Sequence, residues 1–197
     1  MTAKLKLYNA MQALEKSITH DEFRATTFAP QEEKEYIFEL INGVIVAKNH
    51  PTATHQRVLL ELATLINAFI KADKLGRAFI APFGVVLEPN SDVQPDLFVA
   101  LDASLPNLRE DGFFGAPDLI VEIISPSSIK LDRSTKFKLY ERTGVGEYWI
   151  VDTKNQSIEV YGRVGGVFDL TSFAVETGAV ASGVLPGLSI DVVAVFA

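Results

Sequence analysis

The spacing of apolar residues changes period several times along the chain, and each change marks an element. Leu7, Met11, Leu14 and Ile18 recur at helical spacing over residues 5–18, and Thr19-His20-Asp21-Glu22-Phe23 then reads as a break whose capping residue opens a short second helix. Together these predict an N-terminal helical arm over residues 1–30. From 36 to 47 the pattern becomes strand-like on either side of Asn42-Gly43, a dipeptide suited to a tight hairpin because both residues tolerate positive φ. Val58, Leu59, Leu62, Leu65, Ile66 and Phe69 line one face of residues 52–71, which predicts a long amphipathic helix stopped near Gly76. Strands are expected at 77–81, 84–87, 96–100 and 118–125, with the Pro-, Gly- and charge-rich residues 103–116 between them as a loop.

Ser125-Pro126-Ser127-Ser128 punctuates the last of these strands, and residues 130–142 follow as a helix closing at Gly144. Residues 147–152, 157–161 and 167–173 read as three further strands, mostly antiparallel. The fold class is therefore α+β (mixed α/β): a central mixed sheet flanked by helices, with the helical arm at one end and extra antiparallel strands at the other. The core occupies residues 31–175. A C-terminal extension over 176–197 carries an apolar stretch from Val180 to Phe196 that either offers an interface or finishes the core. With 197 residues and 48% hydrophobic content, one substantial core and a single domain are expected.

Composition narrows the chemistry. No apolar run approaches the roughly 20 residues a membrane helix needs, so no membrane partner is expected. Residues 1–11 lack an apolar core followed by a small-residue cleavage site, which leaves the cytoplasm as the expected compartment. The chain has no cysteine, so disulfides and thiolate metal sites are excluded and any metal is held by oxygen or by His20, His50 or His55. A formal net charge of -7 argues against a broad basic surface that clamps nucleic acid. It does not exclude work on DNA, because acidic metal ligands contribute to that charge and bound divalent ions invert the local sign.

Asp96 and Glu122 each interrupt an apolar strand, in Pro95-Asp96-Leu97-Phe98-Val99 and Asp118-Leu119-Ile120-Val121-Glu122-Ile123-Ile124. Acidic residues are poor strand formers, and a buried carboxylate is costly unless a cation or hydrogen-bond donors compensate it. Singly, each acid fits a strand end facing water or a partner Arg or Lys. As a pair 26 residues apart, followed by a lysine-bearing helix, they point to a site for a hard divalent ion such as Mg²⁺. Glu39 lies between Ile37 and Ile41 on one strand face, so it joins this cluster if that face is inward and is an exposed hairpin residue if it is not. Lys136 is spaced i,i+4 from Asp132, which by itself describes an ordinary surface pair. Lys138 points elsewhere on the helix, and His50 reads as loop.

Four blocks taken in order resemble the Uma-two family of restriction endonuclease-like proteins, a branch of the PD-(D/E)XK nuclease superfamily. They are Tyr36-Ile37-Phe38-Glu39-Leu40-Ile41-Asn42-Gly43, Val93-Gln94-Pro95-Asp96-Leu97, Ala116-Pro117-Asp118-Leu119-Ile120-Val121-Glu122-Ile123-Ile124-Ser125-Pro126-Ser127, and Gly144-Val145-Gly146-Glu147-Tyr148-Trp149-Ile150-Val151-Asp152. The resemblance runs from about Thr19 to Val175. It implies a restriction endonuclease-like fold in which Asp96 and Glu122 bind one or two Mg²⁺ (or Mn²⁺) ions and activate water for phosphodiester hydrolysis. Glu39 accompanies the pair, and the backbone carbonyl of Ile123 is a further metal ligand. The superfamily's lysine, two positions after Glu122, is replaced here by Ile124; the resemblance implies that Lys136 on the following helix takes its place. His55, Gln94 and Tyr140 are candidates for supporting positions around these ligands.

The functional expectation is a metal-dependent DNA endonuclease, with DNA as substrate and a homodimer as the assembly that cuts both strands of a duplex. The competing expectation is a non-catalytic nuclease-fold module that binds metal or DNA in a regulatory role. The acidic charge and the missing strand lysine favour the second, and the joint presence of Asp96, Glu122, Lys136 and Glu39 favours the first.

Overall fold

A computed structural model describes residues 17–197. The helix expected over residues 5–18 lies outside the described residues apart from Ser17 and Ile18. Helix α1, His20–Arg24, starts as expected at Thr19: the Thr19 hydroxyl accepts from the Glu22 amide and the Glu22 carboxylate accepts from the Thr19 amide, a reciprocal capping box. A second short helix, α2 (Pro30–Glu35), carries proline in its first turn, where the missing N–H costs nothing. It leads directly into strand β1, Tyr36–Ile41, which pairs antiparallel with β2, Val44–Asn49. Asn42 and Gly43 turn this hairpin at φ 54° and 75°. A Cβ on Gly43 would lie 1.9 Å from the Ser17 hydroxyl, so packing as well as φ selects glycine.

The amphipathic helix α3 spans Ala53–Asp73, capped by the Thr52 hydroxyl and closed by Lys74 in the left-handed conformation. Strands β3 (Gly76–Ile80), β6 (Leu97–Leu101), β9 (Leu119–Ile124), β10 (Glu147–Asp152), β11 (Ser157–Val164) and β12 (Val167–Val175) form one six-stranded sheet in the order β12-β11-β10-β9-β6-β3. Only β9 and β10 run parallel in this sheet, joined by the crossover that carries Lys136. Every residue of β9 and β10 is buried, as expected of central strands covered on both faces.

The hairpin belongs to a second six-stranded sheet, β2-β1-β5-β4-β8-β7, which the hydrophobic pattern did not separate from the first. Its other members are very short: β4 (Val85–Glu88), β5 (Ser91–Val93), β7 (Leu108–Arg109) and β8 (Gly112–Phe114). The stretch expected to be a loop, 103–116, thus contributes a 3₁₀ turn and two small strands, because buried Phe113 draws β8 alongside β4. Residues 130–142 do not form one uniform helix. Leu131–Lys136 is wound as a π-helix that runs into α4, Phe137–Thr143, and the wider turn falls where Asp132 and Lys136 both face inward.

Two cores share the central sheet. On one face α3 packs Val58, Leu62 and Ile66 against Leu97, Val121, Trp149 and Val160. On the other, Phe98, Ile120, Ile124 and Ile150 meet Tyr140 of α4 and Ile41, Val85 and Phe113 of the second sheet. The C-terminal segment, with β13 (Ala179–Ala181), β14 (Ser189–Asp191) and α5 (Val192–Phe196), completes the first core through Val180, Leu185, Ile190, Val195 and Phe196. Glu147 fastens it. Its buried carboxylate accepts from the Trp149 indole, the Ser182 hydroxyl and the Gly183 amide at 2.7, 2.6 and 2.6 Å. Among the described residues no helix is long and apolar enough to cross a membrane.

Candidate active site

The site forms where the second sheet meets the central one. In β1, Phe38 and Leu40 face an outer cluster with Phe23, so the alternate residues Glu39 and Ile41 face inward, and Glu39 is fully buried. In β9 the same alternation points Leu119, Val121 and Ile123 at the α3 side and Ile120, Glu122 and Ile124 at the second sheet. Strands β6 and β9 pair antiparallel with Leu97 opposite Val121, so Asp96, one residue before β6, continues that register opposite Glu122.

Lys136 reaches into this space from the π-helical turn. Its ammonium donates to Glu39 Oε1 at 2.9 Å and to Glu122 Oε1 at 2.7 Å, and its side chain has no exposed surface. The surface-pair reading of Asp132 and Lys136 therefore fails: both side chains are buried, and Lys136 is engaged with two strand carboxylates. Tyr140, one turn further on, donates its hydroxyl to Glu122 Oε1 at 2.7 Å. Gln94 supports Glu39, not Asp96: its backbone N–H donates to Glu39 Oε1 at 2.8 Å, while its side-chain Nε2 donates to the Phe38 carbonyl at 3.3 Å. Ile123 meets the site through its N–H, which donates to Asp96 Oδ2 at 2.7 Å. His55 Nε2 lies 3.0 Å from the same Asp96 oxygen. His20 is elsewhere, 3.0 Å from buried Asp92, while His50 and Lys138 are exposed.

One further residue belongs to the site. Lys48 of β2 places its ammonium 3.5 Å from Glu39 Oε1 and 3.7 Å from Glu122 Oε2. The hairpin register contained the signal: Glu39 is opposite Val46 and Ile37 opposite Lys48, which puts Lys48 on the face of Glu39.

Burial and charge set the protonation of the cluster. Burial pushes Glu122 up to about 7, against the pull of Lys136 and Lys48. For Glu39 burial acts in the same direction, but Lys136, Lys48 and the Gln94 N–H outweigh it and hold the carboxyl below its ordinary value. Asp96 is likewise held low, its burial outweighed by His55, Lys48 and the Ile123 N–H. Asp132 is raised by burial. Both lysines are raised, since the carboxylates around them overcome the desolvation that would release their protons.

Among the described residues no three His, Asp or Glu side chains form a ready-made metal cage. Mg²⁺ does not require one, since it is commonly held by one or two carboxylates and keeps several waters. The donor set suits such an ion in two respects. Glu39 Oε2 is buried with no hydrogen-bond partner. The four carboxylates Glu39, Asp96, Glu122 and Asp132 outnumber the two ammoniums they face, and two of them, Glu122 and Asp132, are raised by burial.

The Uma2 family profile, described as a putative restriction endonuclease, matches residues 21–193. The uncharacterized protein sll1609 of Synechocystis sp. is 28% identical over 131 residues, spanning 64% of this chain and 72% of that protein. The crystal structure of a putative nuclease belonging to DUF820 from Anabaena variabilis superposes with a TM-score of 0.71 at 21% identity, covering 91% of this chain and 97% of the other, and shares its fold. With nearly its whole length matched, the chain belongs to the Uma2 family of putative restriction endonucleases.

Proposed function

We propose that this protein is a metal-dependent DNA endonuclease that hydrolyses phosphodiester bonds. The observation that carries the reading is the convergence of Glu39, Asp96 and Glu122 with Lys136 and Lys48 in one buried cluster, in which Glu39 Oε2 has no hydrogen-bond partner. Asp96 and Glu122 would hold the metal, with Glu39 Oε2 and the Ile123 carbonyl as further oxygen donors. A bound Mg²⁺ or Mn²⁺ supplies a water of lowered pKa and positive charge for the scissile phosphate. The chain's own groups do the rest. His55 and the Ile123 N–H fix one oxygen of Asp96 and leave the other to a ligand. Lys136 and Tyr140 fix Glu122 Oε1 in the same way, and Lys136, with Lys48 and the Gln94 N–H, holds Glu39 ionised within an apolar layer. Cutting both strands of a duplex calls for two such sites, so a homodimer goes with this reading.

The test is cleavage of duplex DNA by the purified protein in Mg²⁺ or Mn²⁺, with Asp96→Asn and Glu122→Gln as variants. These isosteres are preferable to alanine because Glu122 is packed between Lys136 and Tyr140. Both should abolish cleavage, as should a chelator; full activity in both variants, or indifference to chelator, refutes the proposal. The second reading, a non-catalytic metal- or DNA-binding module, is favoured by Ile124 standing where the superfamily has its lysine, buried among Ile120 and Tyr140. Titration of metal with and without DNA separates the two, since binding without cleavage supports the module.

A further inference from the structure

We infer that Lys48, not Lys136, is the lysine that meets the scissile phosphate; the inference rests on the proposed nuclease reading and assigns the role that Ile124 leaves empty. The cluster is stratified by exposure. Glu39, Glu122 and Lys136 form its floor, with side chains 0–1% exposed. Asp96, His55 and Lys48 form its rim, at 12%, 13% and 16%. A substrate phosphate arrives from solvent and meets the rim.

Hydrogen bonding divides the two lysines in the same way. Lys136 is committed to two carboxylates at 2.9 and 2.7 Å, and turning it toward a phosphate would strip both of their partner inside an apolar layer. Lys48 stands 3.5 and 3.7 Å from its two carboxylate oxygens, beyond ordinary N–H···O length. Attraction to the carboxylates holds its ammonium in place without committing its donors to them, so they can turn to an incoming oxyanion. The lysine stem runs along the inward face of β2, so the charge is presented from a strand, as a lysine at position 124 would be, but from the neighbouring sheet. Lys136 is then a positioning residue that holds Glu39 and Glu122 in orientation.

The experiment compares wild type, Lys48→Met and Lys48→Arg in two assays: duplex cleavage in Mg²⁺, and binding of a short duplex in Ca²⁺ as a function of salt. Lys48→Met is expected to slow cleavage by about 10²–10³-fold, the usual loss on removing one preorganised donor to a developing oxyanion. It should also reduce the salt slope of binding by about one, the signature of one lost phosphate contact. Lys48→Arg should retain the salt slope. A wild type that cuts DNA together with a Lys48→Met variant that cuts equally fast overturns the inference and leaves the nuclease reading standing. If wild type binds duplex but never cuts it, the catalytic reading falls; a reduced slope in Lys48→Met then still supports the phosphate contact, and an unchanged slope overturns it. A wild type that neither binds nor cuts overturns both.

Discussion

Replacing Lys136 with Met tests whether the floor of the site is as desolvated as its geometry says. The substitution keeps an unbranched apolar stem and removes an ammonium held 2.9 and 2.7 Å from two carboxylates. Removing one partner of a buried pair leaves an uncompensated charge and costs about 3–5 kcal/mol. The two carboxylates respond differently. Glu39 is held low by Lys136 and Lys48 and loses the nearer of the two. Glu122 is already pushed up to about 7 by burial, so it escapes part of the penalty by taking up a proton.

That escape makes the cost depend on pH, with a definite sign. A carboxyl whose folded pKa exceeds its unfolded value binds its proton more tightly in the folded state. Its contribution is complete below the unfolded value of 4.5 and is lost as pH rises through the folded value of about 7. In the wild type this interval corresponds to about 3 kcal/mol lost by pH 8. Without Lys136 the folded value of Glu122 moves higher, so the loss continues past pH 7. The gap between wild type and Lys136→Met, already opened by Glu39, is therefore narrower at pH 5.5 than at pH 8. Urea unfolding followed through Trp149, the chain's single and fully buried tryptophan, reads this at both pH values. Midpoints that coincide at both pH values, or a wider gap at pH 5.5, would refute the argument.

Two further outcomes concern the scaffold. Glu147→Ala strips the Trp149 indole, the Ser182 hydroxyl and the Gly183 amide of their shared acceptor, and an expected loss of about 3 kcal/mol or more in urea unfolding follows from leaving buried donors unsatisfied; a change within about 0.5 kcal/mol, the range of ordinary surface substitutions, would show that this carboxylate does not anchor the C-terminal segment. Arg133 grips Glu159 with two contacts of 2.8 and 2.6 Å and, with the Tyr161 hydroxyl, outweighs the burial that would raise Glu159, so its carboxyl lies below 4.5. Arg133→Gln should cost about 0.5–1 kcal/mol at pH 7, as for partly exposed pairs, with the difference shrinking as pH falls through that lowered value; a difference constant down to pH 3 would argue against it.

The elements legible in the sequence are those where one local rule acts without competition. Thr19 with Glu22 specifies a capping box from four residues, and Asn42-Gly43 fixes both the hairpin and its pairing register. The apolar stripe from Val58 to Ile70 needs no tertiary knowledge to be read as a helix. The second sheet was not legible because β5, β7 and β8 have three, two and three residues, too few to display a period of two. Their pairing is decided by contacts far along the chain, as when Phe113 lies opposite Val85. The π-helical turn is of the same kind, since no residue between Leu131 and Lys136 breaks a helix and the widened turn coincides with the demand that Asp132 and Lys136 both point inward.

Within the site, the carboxylates were visible because an acid in an apolar strand contradicts its surroundings, and the contradiction itself carries the information. A lysine near a strand end contradicts nothing, so Lys48 raises no such signal by composition. Only the hairpin register exposes it: a two-residue turn sets Ile41 opposite Val44, hence Glu39 opposite Val46 and Lys48 on the same face two residues on. Under the proposed reading, the same reasoning explains how Ile124 can stand where a lysine is expected without the site losing its charge. Ile124 shares a face with Glu122 and packs into the apolar layer with Ile120 and Tyr140. A neighbouring sheet that brings Lys48 to 3.7 Å from Glu122 Oε2 supplies the cation from across the interface. Under the proposed reading, what the site requires is an ammonium at a point in space, and antiparallel register lets more than one strand deliver it.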